Sequence, residues 1–167
     1  QTTASRLISS ALDKLQSPQG DQREALRLLR RAIELGGARD PNWHAAFALL
    51  GLRIKAPDSR IAASCLAALR LDPNNELAKR VLFELTKRRV MARGRLDPSR
   101  GRAKDRPIRL TGLFAEEFAY LTLFGVQSCG DPVYNPQKTL IAYVCRTRAG
   151  QVVTYYFDRS ALLKPTR

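Results

Sequence analysis

Two Asp-Pro-Asn triplets, Asp40-Pro41-Asn42 and Asp72-Pro73-Asn74, stand 32 positions apart. Each joins a carboxylate that can cap a helix to a proline suited to a first helical turn. A chain punctuated in this way must build its first half from short helices, and apolar spacing between the breaks supplies them. The first runs from about Ala4 to Leu15, with Leu7, Ile8, Ala11, Leu12 and Leu15 on one face, and Ser17, Pro18 and Gly20 end it. Asp21 caps the second, with Glu24 at the capping-box position, a stripe of Ala25, Leu28, Leu29, Ala32 and Ile33, and a stop at Gly36-Gly37. Asp40-Pro41 opens the third, which carries Trp43, Ala46, Phe47 and Leu50. Asp58 is expected to cap the fourth, which buries Ile61, Ala62, Cys65, Leu66 and Leu69. Asp72-Pro73 is expected to open the fifth, with Leu77, Val81 and Leu85 inward.

The stretch Ala67 to Ala78, Ala-Ala-Leu-Arg-Leu-Asp-Pro-Asn-Asn-Glu-Leu-Ala, resembles the junction between tetratricopeptide repeats, and the triplet spacing is close to the period of about 34 for that repeat. The resemblance covers residues 21–90. Leu50-Gly51 departs from the pattern by following Trp43 four residues late, and the connection Gly36 to Asp40 is longer than usual. The resemblance implies a stack of antiparallel helical hairpins. Each hairpin has an apolar face that only its neighbour can bury, and the concave side serves recognition.

Charge is the next constraint. The chain of 167 residues has a formal net charge of +14, which draws it toward acidic partners. Residues 1–75 carry 11 basic and 7 acidic groups, 76–110 carry 12 and 4, and 111–167 carry 6 and 4. The excess centres on a band comprising Lys87, Arg88, Arg89, Arg93, Arg95, Arg100, Arg102, Lys104 and Arg106, broken by Gly94, Pro98, Gly101 and Pro107. Such a band can neutralise phosphates. Single-stranded nucleic acid also calls for aromatic residues among the basic ones, and this block has none. The expected partner is therefore another, acidic protein, with nucleic acid second.

Beyond the band the pattern changes period. Ile108 to Thr111 reads as a short strand, and about Phe114 to Phe124 as a helix with Phe118 and Leu121 inward and Gly125 as its stop. Val126 to Cys129 reads as a strand ahead of the Gly130-Asp131-Pro132 turn. Thr139 to Arg148 and Gln151 to Asp158 alternate across Ala149-Gly150 as an antiparallel hairpin, with apolar residues on both faces. The fold class is α+β: a helical repeat region over 1–90, a basic linker over 91–107 and a small α+β unit over 108–167, which can pack as one domain with the helices. Glu116-Glu117-Phe118, Leu123-Phe124-Gly125 and Tyr155-Tyr156-Phe157-Asp158 give this part a likeness to uncharacterised bacterial envelope proteins of the domain-of-unknown-function kind. That likeness implies a bacterial, exported protein and brings no catalytic residues.

No constellation for catalysis stands out. His44, the sole histidine, has no companion in a Ser/His/Asp, Cys/His or metal pattern, and the cysteines lack a Cys-x-x-Cys spacing. Adjacent Glu116 and Glu117 point about 100° apart on a helix, which is poor geometry for an acid/base pair. Asp131 and Asp158 sit where turns and strand ends take carboxylates. No Gly-rich loop ends in Lys-Ser/Thr. The expectation is no enzyme, no cofactor and no metal. Cys65 reads as a buried free thiol. Cys129 and Cys145, sixteen apart, can meet on adjacent strands, and the sequence leaves that bond open.

The longest apolar run, Ala45 to Leu52, falls far short of the roughly 20 residues of a membrane span. If Gln1 is a processed terminus, periplasm or cell envelope is expected, otherwise cytoplasm. Trp43, Phe47, Tyr134, Tyr143 and Tyr155 are candidate aromatic anchors. The function expected is a bacterial protein-binding adaptor, in its narrower form an envelope inhibitor or immunity-type protein. The alternative is an RNA- or ribosome-associated basic protein. The oligomeric state is left open.

Overall fold

The side chain of Asp21 accepts the backbone N–H groups of Arg23 and Glu24, and that of Asp40 accepts the N–H of Asn42. Both carboxylates thus start helices where the sequence puts them. In the computed structural model, which describes residues 1–94, 96–97 and 99–163, the helices come first: α1 (Thr3–Gln16), α2 (Gln22–Glu34), α3 (Pro41–Arg53), α4 (Asp58–Leu71) and α5 (Glu76–Ala92). There follow β1 (Ile108–Arg109), α6 (Glu116–Leu123), β2 (Val126–Cys129), β3 (Val133–Tyr134), β4 (Leu140–Thr147) and β5 (Val152–Asp158). The class is α+β. The chain divides into two compact units, Gln1–Leu85 and Thr86–Arg167, with the division inside α5.

In the first unit α1 with α2, and α3 with α4, form antiparallel hairpins. Alanines at the helix contacts, Ala25, Ala32, Ala45, Ala46 and Ala68, are fully buried and let the helices approach closely. Gly51 has the same role between α3 and α4, since a Cβ there would stand 3.1 Å from Cγ1 of Ile61. One core gathers Leu15, Leu29 and Leu50, another Ile61, Cys65, Val81 and Leu85. Each fully buried Leu or Ile contributes about 1.5–3 kcal/mol.

Two expected helix starts are corrected. Asp58 is not the cap of α4: Pro57 precedes the helix without a side-chain cap, and Asp58 is its first residue, where a carboxylate still meets the positive end of the dipole. Asp72 and Pro73 do not open α5. Asp72 ends α4 and accepts the N–H of Asn74, while Asn75 caps α5 by accepting the N–H of Ala78 at 2.9 Å. Buried Asn75 also donates to Oδ1 of Asn42 at 3.0 Å, tying the start of α5 to the start of α3.

The sheet of the second unit has the order β1-β5-β4-β2, with β3 also on β4; β1 pairs with β5 in parallel and the other pairs are antiparallel. Its inner face is set by the period of two: Ile141, Tyr143 and Cys145 from β4 and Tyr155 and Phe157 from β5 are buried beside Leu121 of α6. Phe124 stacks on Tyr155 at 5.3 Å, and Tyr143 meets Phe157 edge-on at 5.9 Å. Phe118, expected inward, is 51% exposed. The buried face of α6 is set by Glu116, Ala119 and Leu121, and this rotation turns Phe118 to the edge, where it touches Tyr143 at 5.8 Å.

Candidate partner-binding site

The basic segment does not run free. Gly101 is buried, with φ +82°, a conformation that other residues rarely adopt, and a Cβ there would lie 3.2 Å from the Tyr156 carbonyl oxygen, so glycine suits the backbone's approach. Its carbonyl accepts the N–H of Tyr156 at 2.6 Å, and its N–H reaches the carbonyl of Arg106 at 3.1 Å. Residues 99–107, read from sequence as part of a linker, are thereby fastened beside β5. This turn holds Arg100, Arg102, Lys104 and Arg106 outward, all exposed, with the Arg102 guanidinium 6.0 Å over the ring of Tyr155.

Arg93 has a different task. Its Nη1 lies 2.6 Å from Oε1 of Glu116, and its Nη2 donates to Oγ1 of Thr111 at 2.6 Å. Glu116 is only 1% exposed and accepts backbone N–H groups from Thr111, Gly112 and Leu113, together with the Thr111 hydroxyl. Burial alone would raise this carboxyl's pKa. The Thr111 N–H, the Arg93 guanidinium, the Thr111 hydroxyl and the Leu113 N–H outweigh it and hold the value below the ordinary one. In the sequence Glu116 reads as half of a poor acid/base pair and as part of the envelope-protein likeness, not as a loop anchor. Its part in closing the loop ahead of α6 leaves no local signal, because the donors fold back from residues 111–113 and from Arg93.

Of the remaining band, Arg88 and Arg89 are exposed on α5 and Lys87 is half-buried; Arg95 lies outside the described residues, as does Pro98. Arg93, Arg100 and Arg106, with Arg109, line a cleft of about 700 Å³. Asp105 and Asp158 are on its wall, and Tyr120 and Phe124 of α6 join them. Asp158 is held below the ordinary carboxyl range by the Ser160 hydroxyl and N–H and by Arg109. The aromatics that the band lacks in sequence are brought to it by the fold. Such a cleft can take anionic groups and a flat or apolar moiety together.

The aromatic candidates separate. Tyr143 and Tyr155 are core residues and not anchors: both are buried, and burial, then Glu117 and Tyr134, push the Tyr143 hydroxyl up to about 12. Tyr134 is exposed beside the Arg159 guanidinium, 5.8 Å over its ring. Trp43 is half-buried, its indole N–H donating to the Leu29 carbonyl at 2.8 Å, and Phe47 is 40% exposed and stacks on it at 5.1 Å. His44 Nε2 sits 2.8 Å from the Ala38 carbonyl. Cys65 is buried, which pushes its thiol up to about 11. Cys129 and Cys145, register partners on β2 and β4, form a disulfide. Among the described residues no group of three or more His, Cys, Asp or Glu side chains could hold a metal ion, and no helix is long and apolar enough to cross a membrane.

These features define an α+β chain of helical hairpins and a disulfide-joined sheet with an arginine-lined cleft. It matches no family model, no curated protein and no solved structure.

Proposed function

We propose that the chain is a non-enzymatic adaptor that binds an acidic protein through the basic band, in its narrower form a bacterial envelope inhibitor or immunity-type protein. The observation that carries this reading is the turn hydrogen-bonded to β5 through Gly101, on which Arg100, Arg102, Lys104 and Arg106 are all exposed. Fixed charges lose less side-chain and backbone freedom on binding than charges on a loose linker. The non-enzymatic part is supported by the occupation of the reactive groups: Glu116 serves Arg93 and the loop, Cys65 is buried with a raised pKa, and Cys129 and Cys145 are bonded to each other. That bond suits an oxidising compartment such as the periplasm. The test is a pull-down of the native partner with the intact chain and with Arg100, Arg102, Lys104 and Arg106 all changed to Glu. Salt-sensitive retention of an acidic protein that the variant loses is expected; equal retention refutes the reading.

A second reading, RNA or ribosome association, draws on Tyr120 and Phe124 at the arginine cleft, where a base could stack while guanidinium groups meet phosphate. RNA binding at low salt that weakens steeply as salt is added is its signature, and no affinity at low salt removes it.

A further inference from the structure

A second surface lies within the first unit, on residues outside the basic band. α2, α3 and α4 enclose a groove of about 600 Å³ with Leu26, Leu50 and Ile61 in its lining. Phe47 and Ile54 also line it, 40% and 55% exposed, so two large apolar side chains are left open to water. It is a different face from the cavity that Gln16, Leu49, Leu77 and Glu84 line between α1, α3 and α5.

Its charge is one-sided. Arg23 and Arg60 are the charged residues of the lining, and no Asp or Glu joins them. On its α2 side the groove shares Arg23 and Leu26 with a shallow hollow that adds Arg27, Arg30 and Arg31 against Glu34 alone. Arg27 is paired with Glu24 at 2.7 Å and Arg31 with Glu34 at 2.6 Å. Arg23, Arg30 and Arg60 enter no ion pair among the described residues. An apolar trough bordered by uncompensated guanidinium groups favours an occupant with apolar anchors flanked by carboxylates. A second copy of this chain, at +14, or a basic peptide meets like charge at the rim.

The geometry points to a docking site for an acidic amphipathic segment of another protein, its apolar side chains between Phe47 and Ile54 and its carboxylates on Arg23 and Arg60. The inference rests on the protein-binding reading but uses a separate surface, so the two can fail separately. It also has an internal reporter: the ring of Phe47 is stacked on Trp43, the only tryptophan, at 5.1 Å and nearly parallel.

The experiment titrates the full chain with a synthetic amphipathic peptide whose Leu/Phe stripe is flanked by Glu, and with its Gln and Lys counterparts. Trp43 emission and peptide anisotropy are followed together. The Glu peptide is expected to bind and shift Trp43 emission, with affinity about tenfold weaker for the Gln peptide and none for the Lys peptide. Ile54→Glu, and separately Arg23→Glu with Arg60→Glu, are each expected to weaken binding about tenfold or more; these side chains are exposed, and far-UV circular dichroism checks that the helices are kept. Arg100→Glu with Arg102→Glu in the basic band should leave this binding unchanged, whereas loss there alone would place the peptide on the band and overturn the groove. The inference is equally overturned by no response to the Glu peptide, by equal binding of the Glu and Lys peptides, by competition from an RNA oligonucleotide that follows Arg23 and Arg60, or by a dimer that Ile54→Glu dissociates.

Discussion

Glu116 gathers three backbone N–H groups, one hydroxyl and one guanidinium around a buried carboxylate. Replacing it by Gln removes the charge and leaves Arg93 unmatched, at an expected cost of about 2–3 kcal/mol to the second unit, measurable by urea unfolding. The sign of the pH effect follows from the lowered pKa. The unfolded carboxyl, near the ordinary 4.5, takes a proton more readily than the folded one, so the contribution is complete above about pH 4.5 and is lost as pH falls through the lower folded value. Wild type should therefore lose stability in that window more steeply than Glu116→Gln. Asn75 has a comparable part in the helices. Asn75→Ala removes the cap of α5 and the bond to Asn42 together, with an expected loss of about 1–2 kcal/mol and a lower Tm. The sequence Asp-Pro-Asn-Asn offers several caps within a few residues. Its short-range pattern favours Asp72, and the choice of Asn75 depends on a partner 33 positions away.

Whole elements were legible where their signals are local. Asp21 and Asp40 start α2 and α3 as read, and the β4–β5 hairpin forms across Ala149-Gly150 with Val144 opposite Thr154 and Tyr143 opposite Tyr155. What alternation could not decide was which face of that hairpin goes inward, because both carry apolar side chains. α6 decides it by covering Tyr143, Tyr155 and Phe157, and two candidate anchors thereby become core. Nor could it find β3, two residues long and held only by its pairing to β4. The disulfide joins β2 to β4 across a separation of 16 residues. For a loop of that length the constraint on the unfolded chain amounts to about 3 kcal/mol. Reduction, or Cys129→Ser with Cys145→Ser, should lower the unfolding free energy of the second unit by about that amount, read as a lower urea midpoint, and leave the Trp43 signal of the first unit unchanged.

At the scale of the molecule, the net charge of +14 was plain from composition, but its arrangement was not. The fold ties up Arg93, fixes four band residues on one turn and leaves Arg23 and Arg60 in the lining of an apolar trough, with Arg30 in the hollow beside it. Raising salt should therefore weaken partner retention by either surface while changing thermal stability little, since the ion pairs on α2 are exposed. The parallel pairing of β1 with β5 sets Ile108 beside Phe157, and this governs the order of events in time. Hairpins such as α1 with α2 join neighbours in sequence and can form within microseconds to milliseconds as their residues become available. The sheet edge cannot close until β5 has been made and has met β1, so its completion waits on a slow encounter between segments distant in sequence. During biosynthesis the helical unit is then a finished surface, its groove open to a partner, while the sheet unit is still an incomplete chain.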